Sequence, residues 1–226
     1  MYLYLGSTHY TNLYTVDLIC HGVPGRSFFT DYIRTVEKKY KAKVEDFRFR
    51  TKNNGKIIYE ETLVLATNSG DKIKTIPLTR SSYYRLFMSE ETYRDACYSC
   101  KYASINKPAD ITLGDYFELE KDMPELYRKL SDASVEDVNS VIVHTLQGER
   151  LLKMAQILIE RFPADLKKIQ SSHKQLCKPS QFTLQRETIM KIYNKRGFEG
   201  INVYYKARDF ALVLPIRLKR LIKRFN

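Results

Sequence analysis

The 226-residue sequence has few cysteines and no long hydrophobic run. Its four cysteines are too few and too scattered for a disulfide scaffold, which excludes a small secreted fold held by several bridges. No stretch approaches the roughly 18 uninterrupted apolar residues of a membrane-spanning helix. The first residues contain neither a basic segment nor an apolar core of signal-peptide length. These absences predict a cytoplasmic globular protein with reduced thiols.

The composition that is present predicts a folded chain. With 43% hydrophobic residues, 17 tyrosines and 11 phenylalanines, the sequence is unlike that of a disordered protein. A chain of this length is expected to bury roughly 70% of its unfolded surface, as one large domain or two small ones.

The formal net charge is +12, and about half of it comes from residues 204–226. The pattern over 216–225 predicts a basic amphipathic helix with apolar positions at helical spacing: Leu218, Leu221, Ile222 and Phe225. Such a helix either contacts an anionic membrane or acidic partner, or packs its apolar stripe on its own domain, and its shortness favours the second. No ribonucleoprotein-like run or zinc-finger spacing occurs, so no specific nucleic-acid partner is expected.

The periodicity along the chain predicts a mixed α/β (α+β) fold: a mixed sheet with a β-meander, flanking helices and a helical, basic C-terminal segment. The predicted boundary lies between a body at 1–170 and a segment at 171–226. Strands are predicted at 13–19, 44–51, 56–66, 72–76, 110–116, 138–145 and 166–169, with turn signals at 53–55 and 68–71. Helices are predicted at 27–40, 79–89, 149–162, 184–194 and from 200 onward, and a loop at 93–108.

Two of the cysteines form a Cys-x-x-Cys motif, Cys97 and Cys100, on the predicted loop. Two thiolates at this spacing can face one metal, so the motif occurs in zinc and iron–sulfur sites and also in thiol–disulfide exchange. No helix clearly begins at Cys97, which argues against a thioredoxin-like site, and the lack of a second Cys-x-x-Cys argues against a zinc ribbon.

The other two cysteines differ in their sequence context. Cys20 ends a predicted strand before a Gly-Pro turn, so it is either a site thiol or a small buried apolar residue. Cys177 lies in a polar stretch without partner spacing, and we interpret it as incidental.

Three motifs occur in a set order: Val16-Asp17-Leu18-Ile19-Cys20-His21-Gly22-Val23-Pro24, Arg94-x-x-Cys97-Tyr98-x-Cys100-Lys101-Tyr102 and Asp110-Ile111-Thr112-Leu113-Gly114-Asp115-Tyr116. In this order they resemble the C-terminal domain of the coenzyme F420 hydrogenase/dehydrogenase beta-subunit family, which are iron–sulfur flavoproteins. The segment 140–148 resembles a later strand and turn of the same family. The likeness covers about residues 15–152.

The resemblance implies that Cys20, Cys97 and Cys100 are thiolate ligands of a 4Fe–4S cluster. Family members carry a further cysteine in a Gly-Thr-Pro-Cys-Gln-like segment that lies upstream of the point where this sequence begins. Much of their FAD-binding part lies upstream of that point as well. The resemblance therefore implies an N-terminally shortened chain whose fourth ligand is missing or is Cys177. The sequence also departs from the family at 116–118, where many relatives have an aromatic–Trp–Gly sequence.

Other residues of these motifs are placed in sequence to supply amide donors or cations to a negatively charged cluster: His21, Gly22, Arg94, Lys101 and Gly114. Alternatively, the glycines form turns and the basic side chains are solvated. Asp115, like Asp110, either orients loop amides or the site's histidine, or is a buried capping carboxylate. His144 is interpreted as a core histidine.

The ordered motifs and the resemblance that they carry imply an iron–sulfur oxidoreductase or electron-transfer subunit that passes electrons between a 4Fe–4S cluster and a flavin or deazaflavin-type partner. Its expected partners are a redox protein or a flavin. The alternative is a non-enzymatic module, either stabilised by zinc or free of metal, whose basic tail at 216–225 contacts a membrane surface or an acidic partner. The substrate stays unassigned.

Overall fold

The computed structural model describes residues 10–53, 56–130 and 138–225. Within them the chain folds as two compact units, each built from two separate stretches. The first unit contains the stretch that ends at His21 and the stretch from Cys100 to Pro179. The second contains Gly22 to Ser99 and the residues from Ser180 onward.

This division differs from the predicted consecutive segments, 1–170 and 171–226. The reason is that the last helix shares a hydrophobic core with the middle of the chain. Ile189, Phe198 and Ile201 belong to the same buried cluster as Phe28 and Leu63.

After the first strand and helix, five strands follow one another, and helices separate and follow the last two strands. The strands are β1 Val16–Leu18, β2 Lys43–Arg48, β3 Thr51–Asn53, β4 Lys56–Ile58, β5 Glu60–Thr67, β6 Gly70–Pro77, β7 Ile111–Asp115 and β8 Asn139–Val143. The α-helices are α1 Arg26–Tyr40, α2 Ser82–Met88, α3 Asp95–Tyr98, α4 Leu119–Asp122, α5 Pro124–Lys129, α6 Leu146–Met154, α7 Leu166–Ser172 and α8 Leu184–Phe225. Short 3-10 turns follow β6, α6 and α7 at Leu78–Arg80, Ala155–Ile157 and Lys174–Leu176.

The first unit contains a three-stranded mixed sheet in the order β1-β7-β8. β1 pairs with β7 in parallel, with Val16 opposite Ile111, and β8 pairs with β7 in the antiparallel direction. Ile142 on β8 packs in a buried cluster with Ile169 and Leu176. The mixed sheet confirms the predicted fold class.

The second unit contains the predicted antiparallel meander, in the order β2-β5-β6. Thr67 pairs with Gly70 across the Asn68–Ser69 turn, as the turn residues predict. The predicted strand at 56–66 is split at Tyr59, because β4 pairs with β3 and β5 pairs with β2 and β6. The predicted turn residues Asn54 and Gly55 lie outside the described residues.

Two predictions near the end of the first unit need correction. The predicted strand at 166–169 is wrong, since these residues begin helix α7, where the Asp165 side chain accepts a hydrogen bond from the backbone N–H of Lys167. The helix predicted at 149–162 begins earlier, because the Thr145 hydroxyl caps α6 by accepting from the N–H of Gly148. It also ends earlier, at Met154.

The predicted C-terminal helices form one helical element, α8, with a break at Gly197, where φ is 59°. The backbone of the predicted amphipathic segment, 216–225, is helical, but its side chains lie outside the described residues. No helix in the described part of the chain is long and apolar enough to cross a membrane.

A carboxyl group is buried in the core of the second unit. Glu61 is 0% exposed and accepts hydrogen bonds from the hydroxyl groups of Tyr32 and Ser81. Burial raises the pKa of Glu61 above its ordinary value, against the opposing effect of these two bonds. Burial and the neighbouring Glu61 also raise the pKa of Tyr32 and of Tyr83.

We expect Glu61→Gln to weaken the pH dependence of stability. Because the folded pKa is raised, folded Glu61 keeps its proton at pH values where the unfolded side chain has lost it. The free energy of unfolding therefore falls as pH rises from the ordinary glutamate pKa to the folded one, by about 1.4 kcal/mol for each unit of the shift. A glutamine side chain cannot ionise, so urea unfolding of the variant across this range should show a flatter curve. Glu45→Gln, at an exposed position on β2, is the control; a slope unchanged by Glu61→Gln would contradict the expectation.

Candidate functional site

Cys97 lies on a short helix in the second unit. Part of the predicted loop at 93–108 is helical, because α3 forms one turn after Arg94, whose carbonyl accepts from the N–H of Cys97 at 2.8 Å. The Cys97 thiol is half-buried, and its Sγ lies 3.9 Å from the carbonyl oxygen of Val23. The thiol therefore packs against the segment that follows Cys20 in the sequence.

Two backbone hydrogen bonds fix this arrangement. The N–H of Gly25 donates to the carbonyl of Thr92 at 3.0 Å, and the N–H of Arg94 donates to the carbonyl of Val23 at 2.9 Å. Pro24 and Tyr93 form the antiparallel bridge between them. The Gly-Val-Pro-Gly turn and the segment leading to Cys97 are thus held side by side.

Gly22 makes this bridge sterically possible. Its φ is 131°, a value that disfavours residues with a Cβ atom. A Cβ at this position would lie 2.7 Å from Cζ of Tyr93, a ring that is 1% exposed and whose hydroxyl donates to the Phe87 carbonyl. This geometry gives Gly22 a structural role, and its predicted role beside a cluster stays a prediction.

Arg186, from α8, anchors the Cys97 helix, and no motif in the sequence points to it. Its guanidinium donates to the Glu91 carbonyl at 2.7 Å, to the Tyr98 hydroxyl at 3.1 Å and to the Asp95 carboxylate at 3.0 Å. It also lies 4.7 Å from the ring centroid of Tyr98, which stacks on Phe182. The Arg186 side chain is 11% exposed, whereas Asp95 is 86% exposed, so the ion pair contributes less than the bonds to Glu91 and Tyr98.

We expect Arg186→Lys to loosen the Cys97 helix, because an ammonium group does not reproduce the planar, forked donor set of arginine. Free thiols alkylate faster when their segment opens, so iodoacetamide should modify Cys97 at least about threefold faster in the variant. This rate corresponds to a free energy of local opening that is lower by roughly 0.7 kcal/mol or more. Cys177, an exposed thiol, serves as the internal reference. Arg196→Lys, at an exposed position of the same helix, is the matched control. Equal rates for Cys97 in all three proteins would contradict an anchoring role.

The first unit holds the other cysteines. Cys20 is exposed just beyond β1, and the preceding N–H of Ile19 donates to the Leu113 carbonyl at 2.8 Å. Cys100 is half-buried and accepts, through its carbonyl, the N–H of Ala103. Cys177 is exposed, with its Sγ 3.9 Å from the Gln170 carbonyl.

Gly114 allows β7 to approach the Cys20 segment. A Cβ at Gly114 would lie 2.8 Å from Cγ1 of Ile19, the residue before Cys20. A side chain at position 114 would force the Ile19 side chain to move, so glycine permits this close approach. The predicted cationic residues, Arg94 and Lys101, are exposed, and the Lys101 ammonium lies 5.2 Å from the ring centroid of Tyr102.

The two predicted aspartates differ in environment. Asp110 is buried and accepts from the N–H and hydroxyl of Thr15, at 2.7 and 2.6 Å, and from the Thr145 hydroxyl at 2.5 Å. Burial alone would raise the pKa of Asp110, but the bonds from Thr145 and Thr15 outweigh it and hold the pKa below its ordinary value. Asp110 is thus a buried carboxylate that orients the loop amide of Thr15, which was one of the alternatives for it, whereas Asp115 is exposed.

Two histidines lie close to the mixed sheet. His173, which has no informative sequence context, is 5% exposed, and its Nε2 lies 2.8 Å from the Asp115 carbonyl oxygen. A carbonyl only accepts, so this nitrogen carries the proton. His144 follows β8, is half-buried and bonds through Nε2 to the Thr112 hydroxyl at 2.8 Å, as expected for a satisfied histidine.

Within residues 10–53, 56–130 and 138–225, no group of three or more His, Cys, Asp or Glu side chains is arranged to hold a metal ion. The four cysteines are free thiols. The ligand set predicted from the resemblance, Cys20, Cys97 and Cys100, stays a prediction.

The chain belongs to the family described as the C terminus of the coenzyme F420 hydrogenase/dehydrogenase beta subunit, whose model matches residues 5–164. This match confirms the resemblance carried by the three motifs, and membership is consistent with a redox or electron-transfer role beside a redox partner. No curated protein matches the chain. No solved structure matches it either.

Proposed function

We propose that this protein is an iron–sulfur electron-transfer subunit or oxidoreductase that exchanges electrons with a flavin or deazaflavin-type partner. In this proposal Cys20, Cys97 and Cys100 hold a 4Fe–4S cluster. When bound, such a cluster takes up and releases single electrons. Family membership supports the general redox role.

One observation carries the proposed ligand set. The Cys97 thiol lies 3.9 Å from the Val23 carbonyl, and the bridge between Pro24 and Tyr93 holds the two segments together. Val23 follows Cys20 by three residues, so their Cα atoms are at most about 11 Å apart along the chain. Cys100 follows Cys97 by the same spacing. Chain connectivity therefore limits how far the three thiols can separate.

The chemistry of the donor set suits iron. Thiolates are the preferred ligands of iron–sulfur clusters, and all three thiols are free, with Cys20 exposed and the other two half-buried. Arg94 and Lys101 flank the Cys-x-x-Cys motif as exposed cations, which favour a negatively charged group nearby. Arg186 holds the helix that bears Cys97.

Anaerobic purification of the full chain tests the proposal. We expect a brown protein with broad absorbance near about 400 nm that bleaches when dithionite is added, the behaviour of 4Fe–4S centres. Added FAD should be retained on gel filtration if the chain itself binds flavin. A colourless protein with stoichiometric zinc would contradict the proposal and support a zinc-stabilised module. A colourless, metal-free protein would support an interaction module with a basic tail.

A further inference from the structure

Three polar side chains form a continuous hydrogen-bonded network in the first unit, and a lysine joins it through an ion pair. The Thr112 hydroxyl donates to Oδ1 of Asp17 at 2.5 Å, and it lies 2.8 Å from Nε2 of His144. The Lys107 ammonium lies 3.4 Å from Oδ2 of Asp17 and donates to the Leu18 carbonyl at 2.9 Å. The network joins β1, β7 and the residue after β8 through side chains rather than backbone.

The direction of the hydrogen bonds in this network follows from the number of protons. A threonine hydroxyl has one proton, and Thr112 gives it to the Asp17 carboxylate. The Thr112 oxygen therefore accepts from His144, so Nε2 of His144 carries a proton and Nδ1 is the site where the neutral ring accepts one. The donors run from His144 through Thr112 to Asp17.

The network is buried at its centre and partly exposed at its two ends, an arrangement that suits proton transfer from solvent to a site. Thr112 is 0% exposed, so its hydroxyl is shielded from water. His144 is half-buried, and the Asp17 side chain is 29% exposed, so both ends are reachable. The Lys107 side chain is only 4% exposed, and its charge balances the carboxylate, as a buried cation requires.

We propose that His144, Thr112 and Asp17 form a proton relay that acts as an acid–base site. One proton binds to Nδ1 of His144 from water while the Nε2 proton moves to Oγ1 of Thr112. The hydroxyl proton moves at the same time to Oδ1 of Asp17, which then gives it to the acceptor. One proton enters and one leaves, and no electrons are exchanged; rotation of the hydroxyl and tautomerisation of the ring restore the starting state.

The acceptor that fits is a redox-active nitrogen heterocycle of the flavin or deazaflavin class, an assignment that rests on the proposed function. Such a ring takes up at least one proton for each electron pair that it gains. Asp17 lies on β1 and precedes Cys20 by three residues, so their Cα atoms are at most about 11 Å apart. Electron and proton delivery would then use neighbouring residues of the chain, on β1 and just beyond it.

Proton exchange measured by NMR on the iron-free full chain separates a relay from a structural bond. A structural hydrogen bond protects the Nε2 proton of His144, so removing its partner speeds exchange with water. A relay conducts the proton, so Thr112→Val should slow exchange by about tenfold or more, while Thr112→Ser keeps the wild-type rate. Asp17→Asn should also slow the exchange of the His144 proton. Asp122→Asn is the control: the Asp122 carboxylate pairs with Lys168, outside the network, so its loss should leave the exchange rate unchanged.

The His144 signal is assigned with the His144→Gln variant. Faster exchange in Thr112→Val, or a serine variant that behaves like valine, would overturn the relay. Because this measurement needs no iron, it decides the relay even if the chain fails to bind a cluster. FAD reduction by the reconstituted chain, with dithionite as the electron source, tests the acceptor: Thr112→Val should slow it about tenfold and Thr112→Ser should not. Equal rates in both variants would overturn the assignment of the acceptor class.

Discussion

Replacing Cys97 by serine should abolish iron uptake by the anaerobically reconstituted chain, whereas replacing Cys177 should leave uptake intact. A serine hydroxyl is a far weaker ligand than a thiolate for iron in a cluster. Cys97 lies on a helix held by Arg186 and packs against the carbonyl of Val23. Cys177 lies in a polar stretch of the first unit, where its thiol faces the Gln170 carbonyl.

The comparison of the two serine variants is internally controlled, since each removes one thiol from the same chain. Iron content and absorbance near about 400 nm should fall to background in Cys97→Ser and stay at the wild-type level in Cys177→Ser. Equal losses in the two variants would identify Cys177 as a ligand. Full uptake in Cys97→Ser would remove Cys97 from the ligand set.

Gly22→Ala should destabilise the protein by about 2–6 kcal/mol. The added methyl group meets the ring of Tyr93, which is fully buried, and overpacking of this kind costs about 1–3 kcal/mol. The positive φ of Gly22 adds a further cost of about 1–3 kcal/mol for a residue with a Cβ. Urea unfolding followed by circular dichroism measures the change.

Gly70→Ala is the matched control for this prediction. Gly70 also has a positive φ, 99°, and lies in the same unit, but a Cβ there meets no atom within 4 Å. Gly70→Ala should therefore lose only the stability that the positive φ costs, about 1–3 kcal/mol. If the two variants lose the same stability, the contact between Gly22 and Tyr93 does not contribute as described.

Local patterns in the sequence were sufficient for much of the fold. The Asn-Ser turn between two β-rich runs predicts the hairpin of β5 and β6, and the apolar positions of α1 predict that helix. Short elements were harder to predict from the sequence. The run at 166–169 is too short to show a helical repeat, and the start of its helix depends on the cap by Asp165. The single turn of α3 is shorter still.

The candidate site shows a similar limit. The cysteines and Gly22 are visible as motifs, because their neighbours in sequence carry the pattern. Arg186 is 88 residues from Tyr98, and Thr112 is 95 residues from Asp17, so neither pair leaves a local signature. His173 also left no signal, since its partner, Asp115, is 58 residues away. Such partners emerge only when the chain folds.

Iron, acid-labile sulfide and zinc, assayed per chain on anaerobically purified protein, test the central claim most directly. A 4Fe–4S cluster predicts iron and sulfide in equal amounts, about four of each per chain, with no zinc. One zinc per chain without sulfide, or no metal at all, would contradict the account.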